Sequence, residues 1–276
     1  MSTELHQEQL EFLLYWFSDN DHLRWSILLA QVVPQVPHFT VHADASLSGI
    51  GAASEELQFL MQLIISQCIQ HRTLLHMPSD EARNNPLFVP INDLELVAAI
   101  FSYAAAKCAI LSDPPSFPSK WPVSQMFSDN VSALSHLRKG AARSRCSCSL
   151  LRIYCCLAKD AMLSVNSAHI AGVKNLLADA LSRNNTAFMC KPLTILDLIL
   201  HDHTQMRGAK LFLPLHRLAS LIWRALYSAD LPGWPIQTML QLMQPDASIL
   251  GTFVLPEVWA SLTSTPFHPQ DAVMSS

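Results

Sequence analysis

The stretch that decides the fold is PHFTVHADASLSGIGAAS, residues 37–54. Over His38–Asp44 the side chains alternate between apolar and polar, which is typical of a β-strand with one buried face. The short polar segment Ser46–Gly49 predicts a turn. We expect the chain to return as a second strand over Ile50–Ser54, which leaves the carboxylate of Asp44 at the end of the first strand.

Downstream of this hairpin, helical and strand patterns follow one another. We expect a helix from Asn92 through Cys108, a strand over Pro122–Phe127, a helix over Val131–Lys139 closed by Gly140, a helix over Ser149–Lys159, a strand over Met162–Ile170 and a helix over Asn175–Arg183. Residues 55–72 fit either an apolar helix or an inserted hairpin. The mixed order predicts an α/β sheet with helices on its faces.

The two ends of the chain have a different character. Helical periodicity and a Pro-rich stretch predict a helical connector over residues 1–36, ahead of a domain over residues 37–183. Two apolar segments, Leu193–His203 and Leu215–Ala229, predict helices in the remainder, which ends in a Pro-punctuated stretch. We therefore interpret residues 184–276 as a helical tail of unknown role that adds no catalytic residue.

Composition narrows the possible classes of protein. Charged residues make up 14% of the chain, against roughly 25% in soluble globular proteins. This deficit indicates surface that a partner or neighbouring domain covers, although a degenerating coding sequence would have the same composition. The net charge of -4 means that any nucleic-acid contact must come from a local basic patch.

Targeting and redox patterns favour an intracellular protein, cytoplasmic or nuclear. The N-terminus has no signal-peptide pattern, and no uninterrupted apolar stretch reaches the roughly 18 residues of a membrane span. The seven cysteines have neither a secretory context nor zinc-finger spacing, so reduced thiols are expected. We expect no membrane partner.

Acidic residues stand at the ends of predicted strands or on predicted helices: Asp44, Glu95, Asp129 and Asp179. If the strands that carry Asp44 and Asp129 are neighbours, their carboxylates meet at one edge of the sheet, where helix-borne acids can join them. Such a cluster suits two-metal phosphodiester hydrolysis, because Mg²⁺ takes oxygen ligands and two ions roughly 3.5–4 Å apart stabilise both the attacking water and the leaving oxygen. Without metal the carboxylates repel one another, and their pKa values should rise.

Each acid also has a purely structural interpretation. Asp44 could begin an Asx turn, Glu95 with Asn92 fits a capping box, and Asp129 fits a helix N-cap. Asp179 fits a solvated helix residue. Taken singly, each acid is explained at least as well by structure as by chemistry, so the surrounding motifs decide.

Those motifs are HADASLSGIGA (residues 42–52), INDLELVA (91–98), FSDNVSALSHLRKG (127–140) and HIAGVKNLLADALSR (169–183). In this order they resemble the catalytic motifs of ribonuclease H domains from retroelement polyproteins, especially those of DIRS-type retrotransposons. The resemblance covers about residues 8–183, since the preceding segment is similar to the link from a reverse transcriptase. Ile50 departs from the family pattern, which usually has a tryptophan there.

The resemblance implies a ribonuclease H-like fold, a mixed five-stranded sheet with helices on both faces. It implies that the four acids bind two Mg²⁺ ions, with Mn²⁺ as a substitute, and that the RNA strand of an RNA–DNA hybrid is cut. Such an enzyme recognises shape and the 2′-hydroxyl more than sequence. A reverse transcriptase domain outside this chain is an expected partner, because no Tyr-x-Asp-Asp polymerase motif is present. Residues 184–276 also lack the Arg, His-x-x-Arg and Tyr constellation of a tyrosine recombinase.

One stretch of the chain is locally basic, and its cations are Arg138, Lys139, Arg143, Arg145, Arg152 and Lys159. Cations there would bind phosphate groups, whereas the structural alternative is a solvated helix face. The residues expected to contact nucleic acid are Arg138, Lys139, Arg143, Arg145 and Asn130.

Two classes of function remain open. The first is a metal-dependent endonuclease acting on RNA–DNA hybrids. The second is a catalytically inactive remnant, or a domesticated module, that keeps the fold for nucleic-acid binding or assembly. A weaker third candidate is another enzyme of the same fold, such as a DNA exonuclease or a transposase.

Overall fold

The computed structural model describes residues 36–73, 88–112, 122–158, 163–183, 202–214, 216–227 and 253–254. The predicted helix of the N-terminal connector lies outside these residues, as does nearly all of the predicted helix Leu193–His203.

The described residues form strands and helices that alternate along the chain. The strands are β1 (Phe39–Ala45), β2 (Gly49–Ser54), β3 (Phe59–Ile64), β4 (Val123–Ser128), β5 (Ser164–His169), β6 (Lys210–Pro214) and β7 (Phe253–Val254). The α-helices are α1 (Gln67–Thr73), α2 (Ile91–Ser112), α3 (Val131–Lys139), α4 (Arg145–Ala158), α5 (Leu176–Arg183) and α6 (His216–Tyr227). Short 3₁₀ turns span Gly172–Lys174 and Thr204–Met206.

The strands form one mixed sheet in the order β5-β4-β1-β2-β3-β6-β7. Strand β2 runs antiparallel to both β1 and β3, whereas β4 runs parallel to both β1 and β5. Strand β6 is parallel to β3 and pairs with the two-residue β7. The predicted mixed α/β sheet flanked by helices is therefore confirmed, with β1 near its centre.

The alternation along β1 separates the two faces of the sheet. Phe39, Val41 and Ala43 are buried in the larger hydrophobic core together with residues of α2. Among the described helices, α2 alone is long and apolar enough to cross a membrane by length and composition, but 94% of that apolar stretch is buried inside the fold. Such burial is typical of the central helix of a globular core.

Helix α5 covers the opposite face, where Gly51 allows it to lie directly on β2. A Cβ atom at Gly51 would stand 2.3 Å from the carbonyl oxygen of Ala178 and 2.6 Å from Cβ of Leu181. Leu181 then packs with Leu60 of β3 and Leu211 of β6 in the second, smaller core. The close approach places the last turn of α5 over the end of β1.

The sheet has seven strands in the described part of the chain, more than the five that the resemblance implies. Residues 55–72, left open between a helix and a hairpin, contain β3 and the short helix α1. Helix α6 lies within the predicted helix Leu215–Ala229, but β6 is a strand in a segment interpreted as helical, and it pairs with β3. Leu218, Leu221 and Ile222 of α6 belong to the larger core. The described part of residues 202–227 is thus continuous with the sheet and its cores.

Candidate metal centre

Three carboxylates from three different elements meet at one edge of the sheet. Asp44 lies near the end of β1, Asp129 directly follows β4, and Glu95 lies near the start of α2. Because β1 and β4 are parallel neighbours with His42 opposite Phe127, the ends that carry the two aspartates lie side by side. One oxygen from each of the three acids lies within 4.8 Å of the other two. The predicted convergence is found for these three residues.

The surroundings of Asp44 favour its protonated form. Its side chain is buried, with 4% exposure, and its pKa is raised to about 6, first by burial and then by the charges of Asp129 and Asp179. The hydroxyl of Ser182, which donates to Oδ2 of Asp44 at 2.5 Å, opposes this shift. Among the described residues, few groups therefore stabilise the negative charge of the buried Asp44 carboxylate.

The pKa of Glu95 is shifted further from its ordinary value than that of Asp44. Burial raises its pKa to about 9, with further contributions from the charges of Asp44 and Asp129, against one opposing hydrogen bond from the backbone N–H of Ala45. Within the described residues, Oε2 of Glu95 is buried without a hydrogen-bond partner, a costly arrangement for a carboxylate. An oxygen-only donor set with an unpartnered atom fits a hard divalent cation.

Asp179 does not join this group. Its carboxylate accepts a hydrogen bond from Nε of Arg183, one turn along α5, at 2.5 Å, and its side chain is 36% exposed. Its charge still contributes to the raised pKa of Asp44. The structure therefore brings together three of the four predicted acids and places the fourth nearby, paired with an arginine.

The loop before α5 holds the end of β1 in place. The buried Asn175 donates to the backbone carbonyl of Ala43 at 3.0 Å, and its side-chain oxygen lies 3.3 Å from Nδ1 of His42. A Cβ atom at Gly172 would stand 3.0 Å from Oδ2 of Asp129. The Gly-x-x-Asn pattern indicated this loop in the sequence, but the roles of Asn175 and Ser182 emerge only from the structure.

Asp129 and Glu95 do not have the helix-capping roles that the sequence also allowed. The N-cap of α3 is Asn130, whose side-chain oxygen accepts from the backbone N–H of Ala133 at 2.9 Å, so Asp129 is not the cap. Asn130 also donates to the side-chain oxygen of Asn92 at 2.9 Å. The Glu95 carboxylate accepts from a backbone N–H of the sheet. The side-chain nitrogen and the side-chain oxygen of Asn130 therefore both form hydrogen bonds within the protein, and these bonds link the starts of α2 and α3.

The candidate nucleic-acid contacts lie on and after α3. Arg138 is exposed, and its guanidinium donates from Nε to the backbone carbonyl of Ser167 on β5 at 3.1 Å. Lys139 and Arg143 are exposed, whereas the side chain of Arg145 lies outside the described part. These cations remain predicted phosphate contacts.

Comparison with known proteins identifies no relative: no protein-family model, no curated protein and no solved structure matches this chain.

Proposed function

We propose that this chain is a metal-dependent endonuclease of the ribonuclease H type, which cuts the RNA strand of RNA–DNA hybrids. The observation that carries the proposal is the group formed by the buried Asp44 and Glu95 with the more exposed Asp129, whose oxygens lie within 4.8 Å of one another. Three such carboxylates repel one another in the absence of a cation. The pKa values of Asp44 and Glu95 are raised, and acids with shifted pKa values are often found at functional sites.

These three acids would hold Mg²⁺, or Mn²⁺ as a substitute. When bound, a divalent ion of this kind lowers the pKa of water and offsets charge at a phosphodiester. The residues themselves supply negative charge and fixed oxygen positions. Lys139 and Arg143, exposed at the end of α3 and in the following loop, would hold the backbone of the nucleic acid.

Two further features support the ribonuclease H type over other phosphodiesterases. The four sequence motifs occur in the family's order, and the three clustered acids come from the first three of them. The mixed sheet with helices on both faces is the architecture that this resemblance implies. A reverse transcriptase domain remains the proposed partner.

The test is cleavage of a labelled RNA–DNA hybrid by the full chain with Mg²⁺ or Mn²⁺. We expect the wild type to cut the RNA strand, and Asp44→Asn and Asp129→Asn to fall to background while remaining folded. Asp202→Asn, at an exposed residue outside the cluster, is the matched control and should cut like the wild type. Equal cleavage by the wild type and Asp129→Asn would refute the catalytic proposal.

The same experiment separates the alternatives. DNA–DNA and RNA–RNA duplexes of the same sequence should remain intact, and preferred cutting of DNA would indicate another nuclease class. Hybrid binding without cleavage in either metal would favour the binding or assembly module.

A further inference from the structure

Ser182 occupies an unusual position between the metal centre and helix α5. It is fully buried in the last turn of the helix, and its hydroxyl lies 2.5 Å from Oδ2 of Asp44 and 2.9 Å from the backbone carbonyl of Asp179. A hydroxyl has one proton to donate. The carboxylate is the stronger acceptor, because hydrogen bonds to charged groups are shorter and stronger than neutral ones.

The position of this hydroxyl is set from the sheet. Gly51 lies directly opposite Asp44 in the pairing of β1 with β2, and it is there that α5 approaches the backbone too closely for a Cβ atom. Ser46 donates from its hydroxyl to the carbonyl of Ser182 at 2.7 Å, and Ser48 donates to the same carbonyl at 3.3 Å. The end of α5 is therefore hydrogen-bonded to the turn that follows β1, the strand that carries Asp44.

In the part of the chain that the structure describes, Ser182 makes the only side-chain hydrogen bond to the Asp44 carboxylate. The neighbouring charge of Asp129 is repulsive. A carboxylate with two oxygens can accept from Ser182 and still offer lone pairs to a cation.

We propose that Ser182 is a positioning residue, which orients Asp44 by the hydrogen bond from its hydroxyl to Oδ2 and thereby raises the affinity of the three-carboxylate group for a divalent cation. This inference rests on the proposed function of the same site. Ser182 itself touches neither metal nor substrate. Its role resembles that of groups that orient metal ligands elsewhere, whose loss typically lowers metal affinity or activity about 10–100-fold.

The test measures binding of Mn²⁺ to the full chain, by paramagnetic resonance of the free ion and without nucleic acid. Ser182→Ala should weaken Mn²⁺ binding by about tenfold. Ser102→Ala is the matched control, because Ser102 is equally buried but donates to the carbonyl of Ala98 within its own helix. Its Mn²⁺ affinity should equal that of the wild type.

Two further variants separate orientation from general damage. Ser182→Cys keeps the approximate volume but has a weak donor, so it should be folded and still bind Mn²⁺ less well than the wild type. In an Asp44→Asn background, Ser182→Ala should cause no additional loss, because the two changes remove the same interaction.

The outcomes distinguish this inference from the proposed function. If the wild type binds Mn²⁺ and both Ser182 variants bind it equally well, the positioning role is overturned while the nuclease proposal stands. Equal losses of Mn²⁺ affinity in Ser182→Ala and Ser102→Ala would also overturn it, because removing any buried serine hydroxyl would then have the same effect. A wild type that binds no Mn²⁺ would overturn both.

Discussion

Asp44, Glu95 and Asp129 carry the same chemical group in different surroundings. Asp44 accepts a serine hydroxyl, and Glu95 accepts one backbone N–H but leaves Oε2 buried and unpartnered among the described residues. Asp129 follows its strand in a position more open to solvent. Of the three negative charges, that of Glu95 should therefore destabilise the metal-free fold the most.

Replacing Glu95 by Gln should stabilise the metal-free protein at neutral pH. The pKa of Glu95 is about 9 in the fold against 4.5 ordinarily, so between these values the folded state retains a proton that the unfolded chain releases. The resulting contribution to stability is complete below about pH 4.5 and is lost as the pH rises through about 9, by at most about 1.4 kcal/mol per pH unit. Glutamine has no such dependence.

Urea unfolding with chelator, at about pH 5 and about pH 8, measures this effect. The free energy of unfolding of Glu95→Gln minus that of the wild type should increase between the two pH values. Parallel pH dependences would contradict the raised pKa. Added Mn²⁺ should stabilise the wild type more than the variant, because the variant has lost a ligand.

Asp179→Asn should weaken Mn²⁺ binding much less than Asp129→Asn. Asp179 lies outside the three-carboxylate group and is already paired with Arg183, so its charge acts at a distance. Mn²⁺ titration of both variants, with Asp202→Asn as the exposed control, makes the comparison. An equal loss in both would show that Asp179 moves to the metal when the site is loaded, as the four-acid interpretation expects.

At the level of elements, the packing of α5 on β2 determines the geometry around Asp44. The helix lies against the backbone at Gly51, and its final carbonyls accept hydrogen bonds from the turn after β1. Gln62 of β3 adds a donor to the carbonyl of Leu181 at 2.9 Å. A shift of this helix therefore moves Ser182 relative to the acids.

Gly51→Ala should both destabilise the protein, by about 1–3 kcal/mol as in other overpacked cores, and weaken Mn²⁺ binding. The added Cβ meets backbone atoms, which cannot rotate away. The neighbouring Ala52→Gly is the control, because Ala52 belongs to the larger core on the opposite face. It should cost about 0.5–1 kcal/mol with Mn²⁺ affinity unchanged. An unaltered Mn²⁺ affinity in Gly51→Ala would show that the position of α5 does not control the site.

The elements predictable from sequence are those with a clear period or cap. Strand β1 alternates, and α3 has an Asn130 cap and a Gly140 end, so both were predictable within about two residues. Strand β3 was not, because its first four residues, from Phe59 to Gln62, are all buried, which removes the alternation. The short β6 lies in a segment whose apolar pattern indicated helices.

The candidate site likewise contains residues that the sequence indicates and residues that only the structure identifies. Motifs identified the acids, since Asp44, Glu95 and Asp129 have characteristic neighbours along the chain. Ser182 could not be assigned as the donor to Asp44, because that contact joins residues far apart in sequence and depends on how α5 lies on β2. Pairing of Asp179 with Arg183 was accessible in principle from their spacing of four on a helix.

Residues 202–227 complete both hydrophobic cores. Leu211 of β6 and Met206 lie in the smaller core with Leu181 of α5, and α6 supplies Leu221 and Ile222 to the larger one. The described part of the segment predicted to be a tail is therefore structural, although none of its described residues belongs to the acidic group.

Truncation after Arg183 should therefore destabilise the protein far more than truncation after Tyr227. The shorter chain exposes the edge of β3 and the apolar residues that β6 and α6 cover, whereas the longer one keeps them. Thermal unfolding and size-exclusion chromatography of both chains measure the difference. A cooperative, monomeric 1–183 chain with wild-type stability would contradict a structural role for residues 202–227.

The pairing of β3 with β6 also has a consequence for synthesis on the ribosome. Strand β3 ends at Ile64, but its parallel partner begins only at Lys210, so the intervening chain must emerge before that edge is closed. An unpaired, apolar strand edge is a template for association with other chains. Translation interrupted after Arg183 and before Lys210 would release chains that are prone to aggregate, although every acid of the metal centre has already been made.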